Sequence, residues 1–230
     1  MFFKIDADPI EFQVYLSWMD QNTIITLIRH GETEWNLSGR WQGHADSPLS
    51  SRGVEQAKAL GERIKSEEFD FYYSSDLGRA LHTSKLVGEP SGMVAQPYPG
   101  LRERDLGVLE GLNTTEMEET QPEVYTSFRN DGPDFQVPGG ESFRQFYERC
   151  LMAIEELTLM HKGSKIAVVT HGGVLGAIFR YVLNLSLEAD RNFVLLNCSL
   201  NRIEHKSGGW NLMSWGDVAH LKQLDSLDDA

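Results

Sequence analysis

The chain has 230 residues, 40% of them apolar and 24% charged, the composition of a globular protein with a sizeable core. A net charge of −13 excludes a general nucleic-acid or membrane-surface binder, because both need extended basic surface. It also restricts any phosphorylated ligand to a place where a few Arg and His side chains reverse the local field.

Within residues 1–20, Ile10, Phe12, Val14, Leu16 and Trp18 alternate with mostly polar neighbours, a half-buried strand pattern. It reads either as an edge strand serving a homodimer contact or as an N-terminal extension ahead of Met19. The β-branched run 23–29 predicts a buried strand opening into a loop. Gly31, Asn36, Gly39, Gly43, Asp46 and Pro48 keep the following twenty residues irregular. Val54, Ala57, Leu60, Gly61 and Ile64 then recur at helical spacing. A second strand is predicted at 69–74, followed by a helix over 76–87.

Residues 101–111 read as a loop. Asn113 and Glu116 have the spacing of a capping box, for a helix that must pause near Pro122. After another loop at 133–140, Phe143, Phe146, Tyr147, Cys150, Leu151, Ile154 and Leu157 mark a long amphipathic helix. A buried strand is predicted at 166–170, an apolar helix at 173–183, and closing strands at 192–196, 200–205 and 210–215. Alternating strands and helices, with continuous apolar runs at 24–28 and 167–169, predict a largely parallel sheet covered on both faces. No repeat or linker divides residues 21–220, so they read as one domain. Residues 104–140 read as an insertion and candidate lid, and 221–230 as an acidic, solvated tail.

Two predicted strands end alike, in Leu27-Ile28-Arg29-His30-Gly31 and Val168-Val169-Thr170-His171-Gly172-Gly173. Ligands of open α/β sheets bind beyond the C-terminal strand ends. If these strands are neighbours, the two imidazoles face one another across one pocket. The glycines free main-chain N–H groups to approach an anion. A third strand leads through Ser75-Asp76-Leu77-Gly78 to Arg79, so Arg29 and Arg79 would grip phosphate oxygens bidentately. Glu103, between Arg102 and Arg104, adds a carboxyl group.

Phosphoryl transfer needs an in-line nucleophile, stabilisation of the equatorial oxygens and a proton for the departing alkoxide. His30, the arginine pair with His171, and Glu103 supply these. Glu110 and Glu32 are alternative proton donors. His44, His82, His161, His205 and His220 lack metal-ligand spacing and are expected to face solvent or cap helices. Trp35 and Trp41 read as loop anchors or stacking surfaces.

Further residues extend the pattern in order. Glu32-Thr33, Trp35-Asn36, Arg40, Gln42-Gly43, Asp46-Ser47-Pro48-Leu49, Gly53 and Gln56-Ala57 follow the first histidine. Ser74-Ser75-Asp76-Leu77, Arg79-Ala80, Thr83, Leu101-Arg102-Glu103, Gly107, Glu110-Gly111 and Gly139-Gly140-Glu141-Ser142 precede the second. Asn197-Cys198-Ser199, Trp210 and Gly216-Asp217 lie beyond it. This ordered set resembles the histidine phosphatase superfamily, also called the phosphoglycerate-mutase-like family, and within it a phosphatase-like bacterial branch.

The resemblance implies a three-layer α/β/α sandwich with a mostly parallel central sheet. It implies a metal-independent phosphomonoesterase acting on a small phosphorylated metabolite through a phosphohistidine intermediate, with no cofactor and no metal. His30 would be the nucleophile, with Arg29, Arg79 and His171 lining the phosphate pocket. Asn36, Gln42, Gly43 and Gly172 would bind substrate, and Glu103 would serve as acid and then base. Glycolytic mutases of the family continue Arg-His-Tyr-Gly after the acidic residue. Here Arg104-Asp105-Leu106-Gly107 follows, closer to the phosphatase-like members. A cofactor-dependent phosphoglycerate mutase and a catalytically inactive phosphometabolite-binding protein are the alternatives.

Cys150 and Cys198 form no close pair, which suits a reducing compartment. No run approaches the ~20 apolar residues of a membrane helix, and residues 1–11 lack the basic-then-apolar order of a signal peptide. A cytoplasmic enzyme with no membrane or nucleic-acid partner is therefore expected.

Overall fold

In the computed structural model, which describes residues 22–222, β1 (Thr23–Arg29) is almost wholly buried, as its β-branched run requires of a strand covered on both faces. Thr33 caps the one-turn α1 (Glu34–Leu37), and the Ser50 side chain accepts from the Gly53 N–H to open α2 (Ser51–Ile64). β2 (Phe71–Ser74), α3 (Gly78–Gly88) and the short β3 (Gln96–Pro97) follow. The Asn113–Glu116 capping box starts α4 (Thr114–Thr120), and Pro122, with no N–H to lose, opens a separate helix, α5 (Pro122–Asn130). Then come α6 (Phe143–Met160), β4 (Lys165–Thr170), α7 (Gly172–Val182) and the hairpin of β5 (Leu200–Lys206) and β6 (Gly209–Asp217).

The strands lie in the order β3-β2-β4-β1-β5-β6. The first four are mutually parallel, β5 runs antiparallel to β1, and β6 antiparallel to β5. Side chains of the central strands divide between two cores, as the period of two demands. Ile25, Leu27, Ile166 and Val168 pack with Phe146, Cys150 and Ile154 of α6 and Leu175 and Ile178 of α7. Ile28, Ala167 and Val169 pack with Leu60 and Ile64 of α2 and Ala80 and Val87 of α3. Two helical layers on one sheet make the expected α/β/α sandwich, and each such aliphatic side chain contributes about 1.5–3 kcal/mol on leaving water.

The strand expected at 192–196 is instead irregular chain. Phe193 lies 4.1 Å, centroid to centroid, from Phe179, and the Trp215 indole N–H donates to the Val194 carbonyl at 3.0 Å. Its apolar residues are there to cover aromatic surface, not to join the sheet. Residues 104–140 form their own small core around Leu106, Leu109, Met117 and Val137. The alternating pattern from Ile10 to Trp18 and the acidic tail near Asp225 lie outside the described residues. No described helix is long and apolar enough to cross a membrane.

Candidate active site

β1 and β4 are neighbours in parallel register, with Arg29 opposite Thr170, so they end level with one another. The next residue on each is a histidine. His30 and His171 are 3% and 0% exposed, with ring centroids 5.3 Å apart.

His30 Nδ1 lies 2.8 Å from the Gly31 carbonyl oxygen. A carbonyl can only accept, so Nδ1 carries the proton and Nε2 keeps its lone pair. The backbone is fixed as well: His30 N–H donates to Thr170 O at 2.9 Å and Asn197 Nδ2 donates to His30 O at 2.8 Å. Burial, then the charges of Arg79 and Arg29, push His30 well below its ordinary pKa, so it is neutral at neutral pH.

His171 Nε2 lies 2.7 Å from Ser75 Oγ, which already accepts from the Leu77 N–H at 3.3 Å. That favours donation from the Ser75 hydroxyl to Nε2 and leaves the imidazole proton on Nδ1. Burial first, then the charges of Arg79, His30 and Arg29, also lower His171 well below its ordinary value.

Arg79 is 2% exposed. Its Nη2 donates to Gly43 O at 2.8 Å, and its Nη1 to Ala45 O at 2.9 Å and Asp46 Oδ1 at 3.1 Å. Arg29 Nη1 donates to Leu195 O, and Arg29 Nε would lie 3.3 Å from a Cβ at Gly172. The two forks expected to grip phosphate bidentately are thus partly committed to the protein, which fixes their charge but leaves fewer N–H groups. Arg79 Nε and His171 Nδ1 are buried donors without a protein partner. Buried polar atoms are nearly always hydrogen-bonded, so these two mark ground that an anion's oxygens can meet.

Glu103 closes the other side. Its Oε1 accepts from the Arg104 N–H and its Oε2 from the Gly173 N–H, both at 2.9 Å. A Cβ at position 173 would collide with Glu103 Oε1, so a larger residue there would displace the carboxyl group from this position. Gly172, the first residue of α7, has an N–H with no intrahelical partner.

The alternative acids are committed elsewhere. Glu110 Oε1 accepts from the His44 and Leu106 N–H groups and Oε2 from Ala45 N–H. Glu32 accepts from the Ser50 hydroxyl at 2.6 Å and faces Arg52 at 3.5 Å.

The remaining expected ligand groups are less direct. Asn36 Oδ1 accepts from Thr33 N–H and its hydroxyl, and Gln42 Nε2 donates to Thr33 Oγ1 at 2.9 Å. Both side chains therefore brace the loop around Thr33, and Gln42 Oε1, buried without a partner, offers an acceptor where a donor was expected. Gly43 enters through its carbonyl on Arg79.

Several site residues escaped assignment from the sequence. Ser75 orients His171, Thr83 Oγ1 accepts from Gly31 N–H at 3.0 Å, and Asn197 holds the His30 carbonyl. All three sit in motifs matched by the family pattern, but their partners lie 52–167 residues away. His44, expected to face solvent, brings Nε2 to 2.9 Å from the Glu103 carbonyl oxygen. Among the described residues, no three His, Cys, Asp or Glu side chains gather so as to hold a metal ion.

The neutral histidines carry a pH signature. Below about pH 6.5 the unfolded chain binds a proton at each, while the folded chain does not until far lower pH. Stability therefore falls as pH falls below that value, by about 1.4 kcal/mol per pH unit for each group. Denaturant melts of wild type and His171→Gln between pH 6.5 and 5.5 should show the variant losing about 1 kcal/mol less than wild type, since the unfolded imidazole is only half protonated at the start of that window. Equal losses would mean that His171 titrates normally.

The family model of the histidine phosphatase superfamily (branch 1) matches residues 25–218. The chain is 40% identical over 208 residues to a metal-independent phosphoserine phosphatase of Arabidopsis thaliana, covering 89% of this chain and 86% of that protein. It is 37% identical over 211 residues to a probable phosphoglycerate mutase GpmB of Proteus mirabilis, covering 89% of this chain and 97% of that protein. The solved structure of Bacillus stearothermophilus YhfR superposes with a TM-score of 0.81 at 32% identity, covering 87% of this chain and 100% of that one.

Proposed function

Because the chain belongs to the histidine phosphatase superfamily and is a phosphoric monoester hydrolase, we propose that His30 carries the phosphoryl group between a small phosphorylated metabolite and water. The observation that carries this reading is the neutral, buried His30 whose Nδ1 is tied to Gly31 O, leaving the Nε2 lone pair for attack.

In the first step Nε2 bonds to phosphorus as the ester P–O bond breaks. Glu103, entering protonated, gives its proton to the departing alkoxide. Arg29, Arg79, His171 Nδ1 and the Gly172 N–H stabilise the non-bridging oxygens. In the second step Glu103 takes a proton from water, the hydroxide oxygen bonds to phosphorus, and the P–N bond breaks. Inorganic phosphate leaves, His30 is neutral again and Glu103 is again protonated. No metal enters either step.

The substrate proposed is a phosphorylated small acid such as phosphoserine, supported by the Arabidopsis relative's name. Residues 104–140 act as a lid hinged on the loop that holds Asn36 and Gln42. Arg40 Nη1 and Nη2 pair with Glu116 at 2.5 and 2.7 Å, and Trp41 meets Phe128 edge-on at 5.5 Å.

A mutase reading is favoured by the printed names of several relatives, the Proteus protein among them. Against it stands Arg104-Asp105-Leu106, where the resemblance places Arg-His-Tyr in the glycolytic mutases of the family. Incubation with 3-phosphoglycerate or phosphoserine, followed by phosphorus NMR, should show inorganic phosphate as the product that accumulates. Accumulation of 2-phosphoglycerate without free phosphate would overturn hydrolysis.

A further inference from the structure

Arg149 lies on α6, outside the phosphate pocket, yet its guanidinium is fully engaged with the segment that bears Glu103. Nη1 donates to Gly100 O at 3.1 Å and Arg102 O at 3.0 Å, and Nη2 to Glu103 O at 3.0 Å. Nε and Nη2 each reach one Glu141 carboxylate oxygen at 2.8 Å. Five hydrogen bonds match the five N–H donors of a guanidinium.

Glu141 grips the same segment from its other end. Its Oε2 accepts from Asp105 N–H at 3.0 Å, its N–H donates to Asp105 O at 2.9 Å, and its carbonyl receives Arg104 Nε and Nη2 at 3.1 and 3.0 Å. The backbone is therefore tied down at residues 100, 102, 103 and 105, on both sides of the carboxyl group.

We infer that Arg149 and Glu141 form a clamp that positions Glu103 for proton transfer. The inference rests on Glu103 being the proton donor, as proposed above. Loop segments are the mobile parts of a fold, whereas a general acid must stay within hydrogen-bond reach of the leaving oxygen. The clamp resolves that conflict by tying the loop to α6, a rigid helix packed on the sheet. Lysine could not replace Arg149, because three donors on a point charge cannot span three carbonyls and a carboxylate. Arg149 is thus a positioning residue, since it touches neither the phosphate pocket nor the leaving group.

A displaced Glu103 hurts protonation of a departing alkoxide and activation of water, but not the departure of a group that needs no proton. Arg149→Gln should lower kcat for an alkyl monoester such as phosphoserine by about 100-fold, with KM within about threefold. The pre-steady-state burst of nitrophenolate from p-nitrophenyl phosphate should stay within about threefold, because that leaving group needs no proton. In a Glu103→Gln background, Arg149→Gln should add less than about threefold on the alkyl substrate, since the acid it positions is gone.

Equal losses in the burst and in alkyl turnover, or a full additive loss on top of Glu103→Gln, would overturn the clamp. If Arg149→Gln does not fold, Glu141→Gln gives the same test: a smaller fall in alkyl turnover with an unchanged burst. A wild-type enzyme lacking both burst and phosphohistidine would overturn the phosphohistidine reading itself, an outcome distinct from failure of the clamp alone.

Discussion

His30→Ala is expected to lower turnover of both aryl and alkyl phosphates by roughly 10⁴-fold or more, with the fold intact and no phosphohistidine detectable. The size follows from the absence of a substitute. The other pocket imidazole, His171, has its Nε2 engaged by Ser75 Oγ, and its lone pair cannot be freed without breaking that bond. Arg79 and Arg29 remain in place in the variant, so it should still bind a phosphate analogue. Vanadate should therefore raise its melting temperature, as ligand binding to the native state must. Wild-type activity should be indifferent to chelators. Substantial turnover by the alanine variant, or loss of wild-type activity on chelation, would remove His30 from the mechanism.

Glu103→Gln should cost about 10²–10⁴-fold in turnover of an alkyl phosphate, the usual worth of a positioned acid or base. Its effect on an aryl phosphate is more diagnostic. Nitrophenolate departs without a proton, so phosphohistidine still forms, but the water that should cleave it has lost its base. The variant should give a rapid burst of nitrophenolate followed by slow release of phosphate, with phosphohistidine accumulating on the enzyme. With an alkyl phosphate the first step is slow and nothing accumulates. The amide also meets two N–H donors, from Arg104 and Gly173, where the carboxylate accepts both, so one must face an NH₂ group. A variant showing equal losses on both substrates and no accumulated intermediate would send the assignment back to Glu110 or Glu32, despite their hydrogen bonds to loop N–H and hydroxyl groups.

Much of the architecture could be read from local chemistry. The β-branched runs at Thr23–Arg29 and Lys165–Thr170 became central parallel strands, and the Asn113–Glu116 spacing became a real capping box. Pro122 ended one helix and began the next for the reason expected of a residue without an N–H. The error at 192–196 has the opposite lesson. Apolar residues there satisfied a strand pattern, but burial against Phe179 and Trp215 gave them a different use. Periodicity reports that a residue is covered, not by what.

The two strand-end His-Gly motifs, Arg29, Arg79 and Glu103 are legible in the chain before folding, because each is written in a few consecutive residues. Folding makes β1 and β4 neighbours that end level, which brings the two imidazoles within 5.3 Å. It decided that Arg79 spends much of its fork on Gly43, Ala45 and Asp46, and that Asn36 and Gln42 brace Thr33. It also decided that Glu103 is held by a helix 46 residues further along the chain. The difference is one of range. Backbone propensity and strand patterning act over a handful of residues, while a hydrogen bond has a fixed number of donors whose allocation depends on every chain segment that folding brings within 3 Å.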